Sequence, residues 1–347
     1  MKLAERISSF AILGDLLRNF SIEKREPSTE VLYDAIYKTS QVNPWFTIEN
    51  QTDAIKALSL FLDHDSIQNW VLPYHSAFDQ YPADKTVAVV MAGNIPLVGF
   101  HDFLCVLIAG YKIIIKLSGD DPFLIPAMSR LLCDINPDWE SRIRFSEGAL
   151  KGFDAIIATG SDNTSRHFEF YFSKYPHIIR HHRNSIAILT GREEPETLRL
   201  LASDILQYFG LGCRNISKLY VPADYNFSLI EEAVQPYLHL LNHHKYRNNY
   251  DYNRTMFMLN QIPFRELGPI LVTESRETAS RIAVLHYSYY SDFEALKLEI
   301  DELAGQIQCV VCQEPFSNSV IYPGESQFPD LEDYADQVNT LEFLAKI

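Results

Sequence analysis

Cys213 is the residue whose type and setting offer the most chemistry, in the run Leu211, Gly212, Cys213, Arg214, Asn215. It falls where a helix-length stretch, Pro195 to Gly210, gives way to a strand-length one from Ser217 to Pro222. A thiol on a Gly-flanked turn beside an arginine can be partly exposed and have a depressed pKa, the two conditions of a nucleophilic thiolate. An isolated cysteine is more often a core or inert residue. Gly93, Asn94, Ile95, Pro96 and Leu97 close another apolar run, where α/β folds place ligand groups. A side-chain amide there can donate to a developing oxyanion or cap the helix that follows. Two further strand ends read Lys116, Leu117, Ser118, Gly119 and Thr159, Gly160, Ser161. A lysine at a strand end can reach ribose hydroxyls, and a Gly-Ser turn opening a helix suits a pyrophosphate. Both also fit plain strand ends or helix caps, and no G-x-G-x-x-G fingerprint accompanies them.

Other reactive residues read as structural. Cys309 and Cys312 have C-x-x-C spacing, but they lie in the apolar run Ile307 to Cys312 with no second Cys or His pair nearby, as buried strand residues do. His181 with His182, and His243 with His244, are adjacent pairs. Neighbours on a strand point to opposite faces, which opposes a shared metal. No metal site is expected, and a histidine as proton donor to a departing thiolate stays open.

These residues need elements to hold them. From about Thr86 onward, apolar runs of strand length alternate with amphipathic runs of helix length, the pattern of an α/β fold with a largely parallel sheet. The predicted strands are Thr86 to Ala92, Lys112 to Leu117, Phe153 to Thr159, Ser185 to Thr190, Ser217 to Pro222, Pro269 to Thr273 and Ile307 to Cys312. Pro96 to Gly110 is a predicted helix, with Pro at its start and Gly past its end, completing a βαβ unit. Before Thr86 the pattern is helical, with Ile55, Leu58, Phe61 and Leu62 as one stripe. Leu241 to Asn253, rich in Asn, His and Tyr and without periodicity, is expected to be a loop facing substrate.

Composition bounds the function. A chain of 347 residues suits two domains, and 47% hydrophobic with 22% charged residues describes a folded globular protein. A net charge of −15 opposes nucleic-acid binding, which rests on clustered Lys and Arg. Five scattered cysteines form no disulfide framework and suggest a reducing compartment. Charges at Lys2, Glu5 and Arg6 interrupt any export signal, and Phe103 to Tyr111 is half a membrane span. The expectation is a cytoplasmic protein without a membrane span.

In order, the Asn-x-Pro segment at Asn94, the strand ending Lys116 to Ser118, the Thr159 to Ser161 helix start and Cys213 after a helix resemble the aldehyde dehydrogenase superfamily. The likeness extends through Arg183, Asn184, Ser185 and Gly268, Pro269, Ile270, covering about Thr86 to Cys312. Within that superfamily, Phe209 to Ser217, Arg183 to Ser185 and the tail Asp333 to Asp336 are similar to the LuxC-type acyl-CoA reductases, which supply aldehyde in bacterial luminescence. The resemblance implies two α/β domains with largely parallel sheets. Residues 1–184 would hold N-terminal helices and a nicotinamide cofactor domain, and 185–325 a catalytic domain with the nucleophilic cysteine. Residues 326–347 would be a tail that packs back or oligomerises.

By that resemblance Cys213 attacks an acyl thioester, Asn94 and the backbone N–H of Cys213 hold the oxyanion, and hydride from the cofactor gives the aldehyde. Cofactor binding falls to Lys116, Ser118, Gly160, Ser161 and Glu266. NADPH is expected, with NADH as the alternative, because Gly119 stands where related enzymes often carry a ribose-binding glutamate; Asp120 and Asp121 oppose this by charge. Two departures matter. Hydrolytic aldehyde dehydrogenases activate water with a glutamate, but Ile179 to Arg183 holds no carboxylate, so hydrolysis should be slow and thiol chemistry favoured. Arg265 falls at the family's ribose-contacting glutamate unless Glu266 serves through a one-residue shift. The substrate would be a long-chain fatty acyl-CoA or acyl-protein, the latter served by an acyl-protein synthetase, and the enzyme a homo-oligomer. The alternatives are a thiol-acylating aldehyde dehydrogenase running oxidatively and a redox-silent acyl-carrying subunit.

Overall fold

Short runs of β-branched and other apolar residues form the strands, because such side chains pack well on a pleated surface buried on both faces. The computed structural model describes residues 1–79, 84–160, 162–314, 316 and 320–347, without the side chains of Asp162 and Asn163. The chain divides into two compact units, Met1–His181 with Asp330–Ile347, and His182–Pro329.

In the first unit, β1 (Thr86–Val90), β2 (Lys112–Lys116), β3 (Ile143–Phe145), β4 (Ala155–Thr159) and β5 (His177–Arg180) form one parallel sheet in the order β3-β2-β1-β4-β5. Val87, Ala88, Val89, Ile113, Ile114, Ile115 and Ala155 to Ala158 are buried within it. Val90 pairs with Lys116 on one side and Ala158 on the other, so Asn94, Ser118 and Gly160 all follow the same edge of the sheet. The strand order reverses between β1 and β4, the position where open α/β sheets form a ligand crevice.

The helix predicted from Pro96 is shorter, Phe100–Ile108, with Gly99 at its N-cap. Leu97 has φ of 59°, which ends any helical path through residues 96–99, so Asn94 does not cap this helix. The N-terminal segment is helical as expected, over Leu3–Arg18, Glu30–Val42, Ile48–Phe61 and His64–Val71. The C-terminal residues belong to this unit: the Tyr111 hydroxyl donates to the Leu344 carbonyl at 2.8 Å, and Trp70 Nε1 donates to the Tyr334 hydroxyl at 2.8 Å.

The second unit carries β6 (Asn184–Ile188), β7 (Ile216–Pro222), β8 (Arg265–Leu267), β9 (Ile270–Glu274), β10 (Val284–Tyr290), β11 (Ile307–Cys312) and β12 (Val320–Ile321). They lie in the order β12-β11-β6-β7-β10-β9-β8, parallel except for the β8–β9 hairpin, whose turn uses Gly268 at φ 55°. Cys309 and Cys312 are buried on β11. Strand β10 was not predicted: it buries Val284, Leu285 and Tyr287, but its His, Ser and Tyr content hides the apolar run.

The loop expected over Leu241 to Asn253 is corrected to a helix, His244–Leu259. That helix buries only Tyr246, Tyr250 and Asn253, a narrow stripe at spacings of four and three. Its inward groups have polar tips, the Tyr246 hydroxyl donating to the Pro269 carbonyl and Asn253 to that of Ile282, so no aliphatic period shows in the sequence. Among the described residues no helix is long and apolar enough to cross a membrane.

Candidate active site

The Cys213 turn is built from the second unit's own residues. The predicted helix Pro195 to Gly210 stops at Leu206, because Tyr208, Phe209 and Gly210 take φ of 52°, 59° and 72°. Left-handed backbone at two bulky residues is strained and persists only where surrounding bonds impose it. Asn215 supplies those bonds: its buried side chain accepts from Gly212 N–H at 2.8 Å and donates to the carbonyls of Asp204 at 2.9 Å and Gln207 at 3.0 Å. Ser185, the second residue of β6, donates its hydroxyl to the Cys213 carbonyl at 2.9 Å.

Arg214 Nε donates to the Ser326 carbonyl, and the fully buried Asp204 carboxylate accepts from the N–H groups of Gly324 and Ser326 and from the Ser326 hydroxyl. Burial pushes the Asp204 pKa up, although these bonds pull against it. Asp204 and Asn215 had no functional reading in the sequence. The signal for Asp204 is its charge on a helix face otherwise apolar at Leu201, Ala202 and Ile205, and that for Asn215 is its place in the Phe209 to Ser217 run.

The Cys213 thiol is half-buried, and His182 Nδ1 lies 3.7 Å from its sulfur. Two of the other thiols are harder to ionise than an ordinary cysteine. Burial drives Cys105 well above the ordinary thiol range, and burial together with Glu140 raises Cys133.

In the first unit, the segment after β1 is fixed by Asp121. Its buried carboxylate accepts from Leu97 N–H at 3.1 Å and Leu124 N–H at 3.3 Å, holding the left-handed Leu97 three residues past the half-buried Asn94. Burial pushes the Asp121 carboxyl up to about 6, against the pull of those two N–H groups. At the adjoining strand end Lys116 Nζ donates to the Gly148 carbonyl at 3.3 Å. Gly93 packs so close to Ser118 that an added Cβ would stand 2.5 Å from its hydroxyl oxygen, while nothing lies within 4 Å of one added at Gly119. Gly160 meets Thr164 and Phe168 at the start of the helix Asp162–Phe172. Ser161 lies outside the described residues. An edge with close-set Gly93 and Ser118, the Lys116 amine and open space at Gly119, at the reversal of strand order, fits a dinucleotide.

Glu266 lies on β8 of the second unit, where Arg254 Nε donates to it at 2.8 Å and the Tyr250 hydroxyl at 3.2 Å. Arg265 lies over the Phe227 ring, 5.2 Å from its centre. The segment Ile179 to Arg183 presents Arg180, buried and paired with Asp102 at 2.6 Å, with a further bond to the Thr340 hydroxyl at 2.9 Å. No group of three or more His, Cys, Asp or Glu among the described residues could hold a metal ion.

The acyl-CoA reductase (LuxC) family matches residues 45–244. Over 156 residues the chain is 26% identical to the long-chain acyl-protein thioester reductase of Aliivibrio fischeri, a match covering 40% of this chain and 33% of that relative. The chain thus matches about a third of that relative's length. Among solved structures it is similar to aldehyde dehydrogenase 21 of Physcomitrella patens, in complex with the reaction product succinate, at 12% identity over 98% of this chain and 87% of that one, TM-score 0.61. It is also similar to the NAD-dependent aldehyde dehydrogenase of Sinorhizobium meliloti, at 12% identity over 90% and 70%, TM-score 0.63. At these identities the likeness is one of fold: the α/β architecture is that of the aldehyde dehydrogenases.

Proposed function

Since the chain belongs to the acyl-CoA reductase (LuxC) family, we propose that it reduces a fatty acyl thioester to the aldehyde through an acyl group held on Cys213. The observation that carries this reading is a half-buried thiol on a backbone fixed by Asn215 and Ser185, with an imidazole as its close polar neighbour among the described residues. Sulfur displaces the carrier thiol from the acyl carbonyl, leaving a thioester on the protein. The segment where hydrolytic relatives place their glutamate holds no carboxylate, and its Arg180 is closed against Asp102, so the acyl group waits for a thiol or a hydride.

Nicotinamide, when bound, supplies that hydride. In this proposal Lys116, Ser118, Gly160, Ser161 and Glu266 bind the cofactor, and Asn94 donates to the substrate oxyanion. The open space at Gly119 supports NADPH, with NADH as the alternative. The carrier is coenzyme A or an acyl-protein served by a synthetase.

Mass spectrometry after incubation with acyl-CoA and no cofactor tests the reading: one acyl adduct on Cys213 is expected. With aldehyde, oxidised cofactor and coenzyme A the product should be acyl-CoA, and almost no free acid should form when coenzyme A is withheld. An adduct on Cys105 or Cys133, full activity in Cys213→Ala, or sustained release of free acid overturns it.

A further inference from the structure

We propose that His182 is a catalytic proton carrier for Cys213: its Nδ1 takes the sulfur's proton as the thiol attacks, and returns it to the departing carrier thiolate. The inference rests on the reading of Cys213 as acyl acceptor and adds the group that manages its proton. His182 Nδ1 stands 3.7 Å from the reacting sulfur, a contact that shortens readily once a substrate is seated. The imidazole is exposed, so it exchanges protons with solvent.

Its neighbours in sequence are committed elsewhere. Arg180 is locked to Asp102, and His181 meets the Ser165 hydroxyl at 3.1 Å and Glu169 at 3.6 Å, while its N–H donates to Asp336 at 3.0 Å. Arg183 Nη1 points to the Ile307 carbonyl at 3.5 Å. The thiol's own position is fixed from behind by the Ser185 bond to its carbonyl, so the Cys213 and His182 side chains face one another from the turn before β7 and the segment before β6.

The proton count closes. The S–H bond of Cys213 breaks to imidazole Nδ1, the new bond forms between sulfur and the acyl carbon, and the bond from that carbon to the carrier sulfur breaks. The imidazolium proton then goes to the carrier thiolate, leaving acyl-Cys213, free carrier thiol and neutral His182. Hydride addition to the acyl carbon gives the thiohemiacetal alkoxide, which collapses to aldehyde and Cys213 thiolate. That thiolate either attacks the next substrate directly or takes one proton from solvent through His182.

A general acid matters most when the leaving group is basic. Single-turnover acylation of Cys213 is therefore compared for an alkyl thioester, acyl-CoA, and an aryl thioester of the same acyl chain, whose thiolate leaves unaided. In His182→Ala and His182→Gln the acyl-CoA rate should fall roughly a hundredfold or more, and the aryl thioester rate far less. Added imidazole should restore part of the acyl-CoA rate in His182→Ala. Equal losses for both thioesters, or no loss, overturn the proposal.

Alkylation of Cys213 by iodoacetamide at neutral pH requires no substrate recognition and separates the two readings. It should slow by roughly tenfold in both variants if imidazole draws the thiol proton, and an unchanged rate overturns the pairing. If wild-type Cys213 is alkylated at the imidazole-dependent rate but accepts no acyl group, the thioester reductase reading fails and the proton pair stands.

Discussion

Two turns, one in each unit, solve the same backbone problem with different chemistry. The Cys213 turn and the Asn94 turn each contain left-handed residues that are not glycine, Tyr208 and Phe209 in one and Leu97 in the other. In each, a buried side chain bonds to the backbone of the turn, Asn215 in one and Asp121 in the other. Asn215 is a neutral amide that both accepts and donates, so its hold does not depend on pH. Asp121 only accepts when ionised, and burial works against its charge. The bonds that Asn215 makes to the thiol-bearing turn are therefore independent of solvent pH, and those that Asp121 makes to the Asn94 turn are not.

The largest effect expected from breaking this comparison comes from Asn215→Ala. It strands the Gly212 N–H and the carbonyls of Asp204 and Gln207 in a buried setting, at about 1 to 3 kcal/mol for each unsatisfied group. Urea denaturation should show a loss of about 3 kcal/mol or more, and acylation of the surviving folded protein should slow sharply, because Tyr208 and Phe209 relax. A variant with unchanged midpoint and acylation rate would remove Asn215 as the holder of the turn.

Asp121→Asn sharpens the contrast through pH. Its folded carboxyl sits at about 6 against an ordinary 3.8, so the folded state binds the proton more tightly than the unfolded chain. The stabilisation is complete below about pH 4 and is lost as pH rises through 6, to a total of about 3 kcal/mol. The asparagine does not titrate. Wild type should therefore lose stability relative to Asp121→Asn by about that amount between pH 4 and pH 8, read as a difference in denaturation midpoints. A difference that stays flat, or runs the other way, would show that the buried carboxylate is compensated.

A smaller effect separates two glycines on the cofactor edge. Gly93→Ala drives a methyl to 2.5 Å from the Ser118 oxygen and should cost about 1 to 3 kcal/mol, weakening NADPH binding measured by fluorescence titration. Gly119→Ala meets nothing within 4 Å and should change stability by less than about 0.5 kcal/mol. Equal behaviour of the two variants would mean that Ser118 moves freely and does not shape the edge.

Features that depend on local pattern are legible along the chain. Parallel strands are buried on both faces, so β1, β2, β4, β6, β7, β9 and β11 stand out as apolar runs, with the order of motifs at their ends. That order was enough to place the chain in its family and fold. It did not reveal the helix His244–Leu259 or strand β10, whose inward faces are built from Tyr, Asn, Ser and His.

Which side chains meet depends on how distant segments pack. His182 and Cys213 are 31 residues apart and are joined because β6 and β7 are neighbours in one sheet. Asp204 gains its role from Gly324 and Ser326, 120 and 122 residues away. Pattern along a chain reports which face of an element is buried. Which buried or exposed groups lie opposite one another follows from strand order and register, and those are fixed by long-range packing.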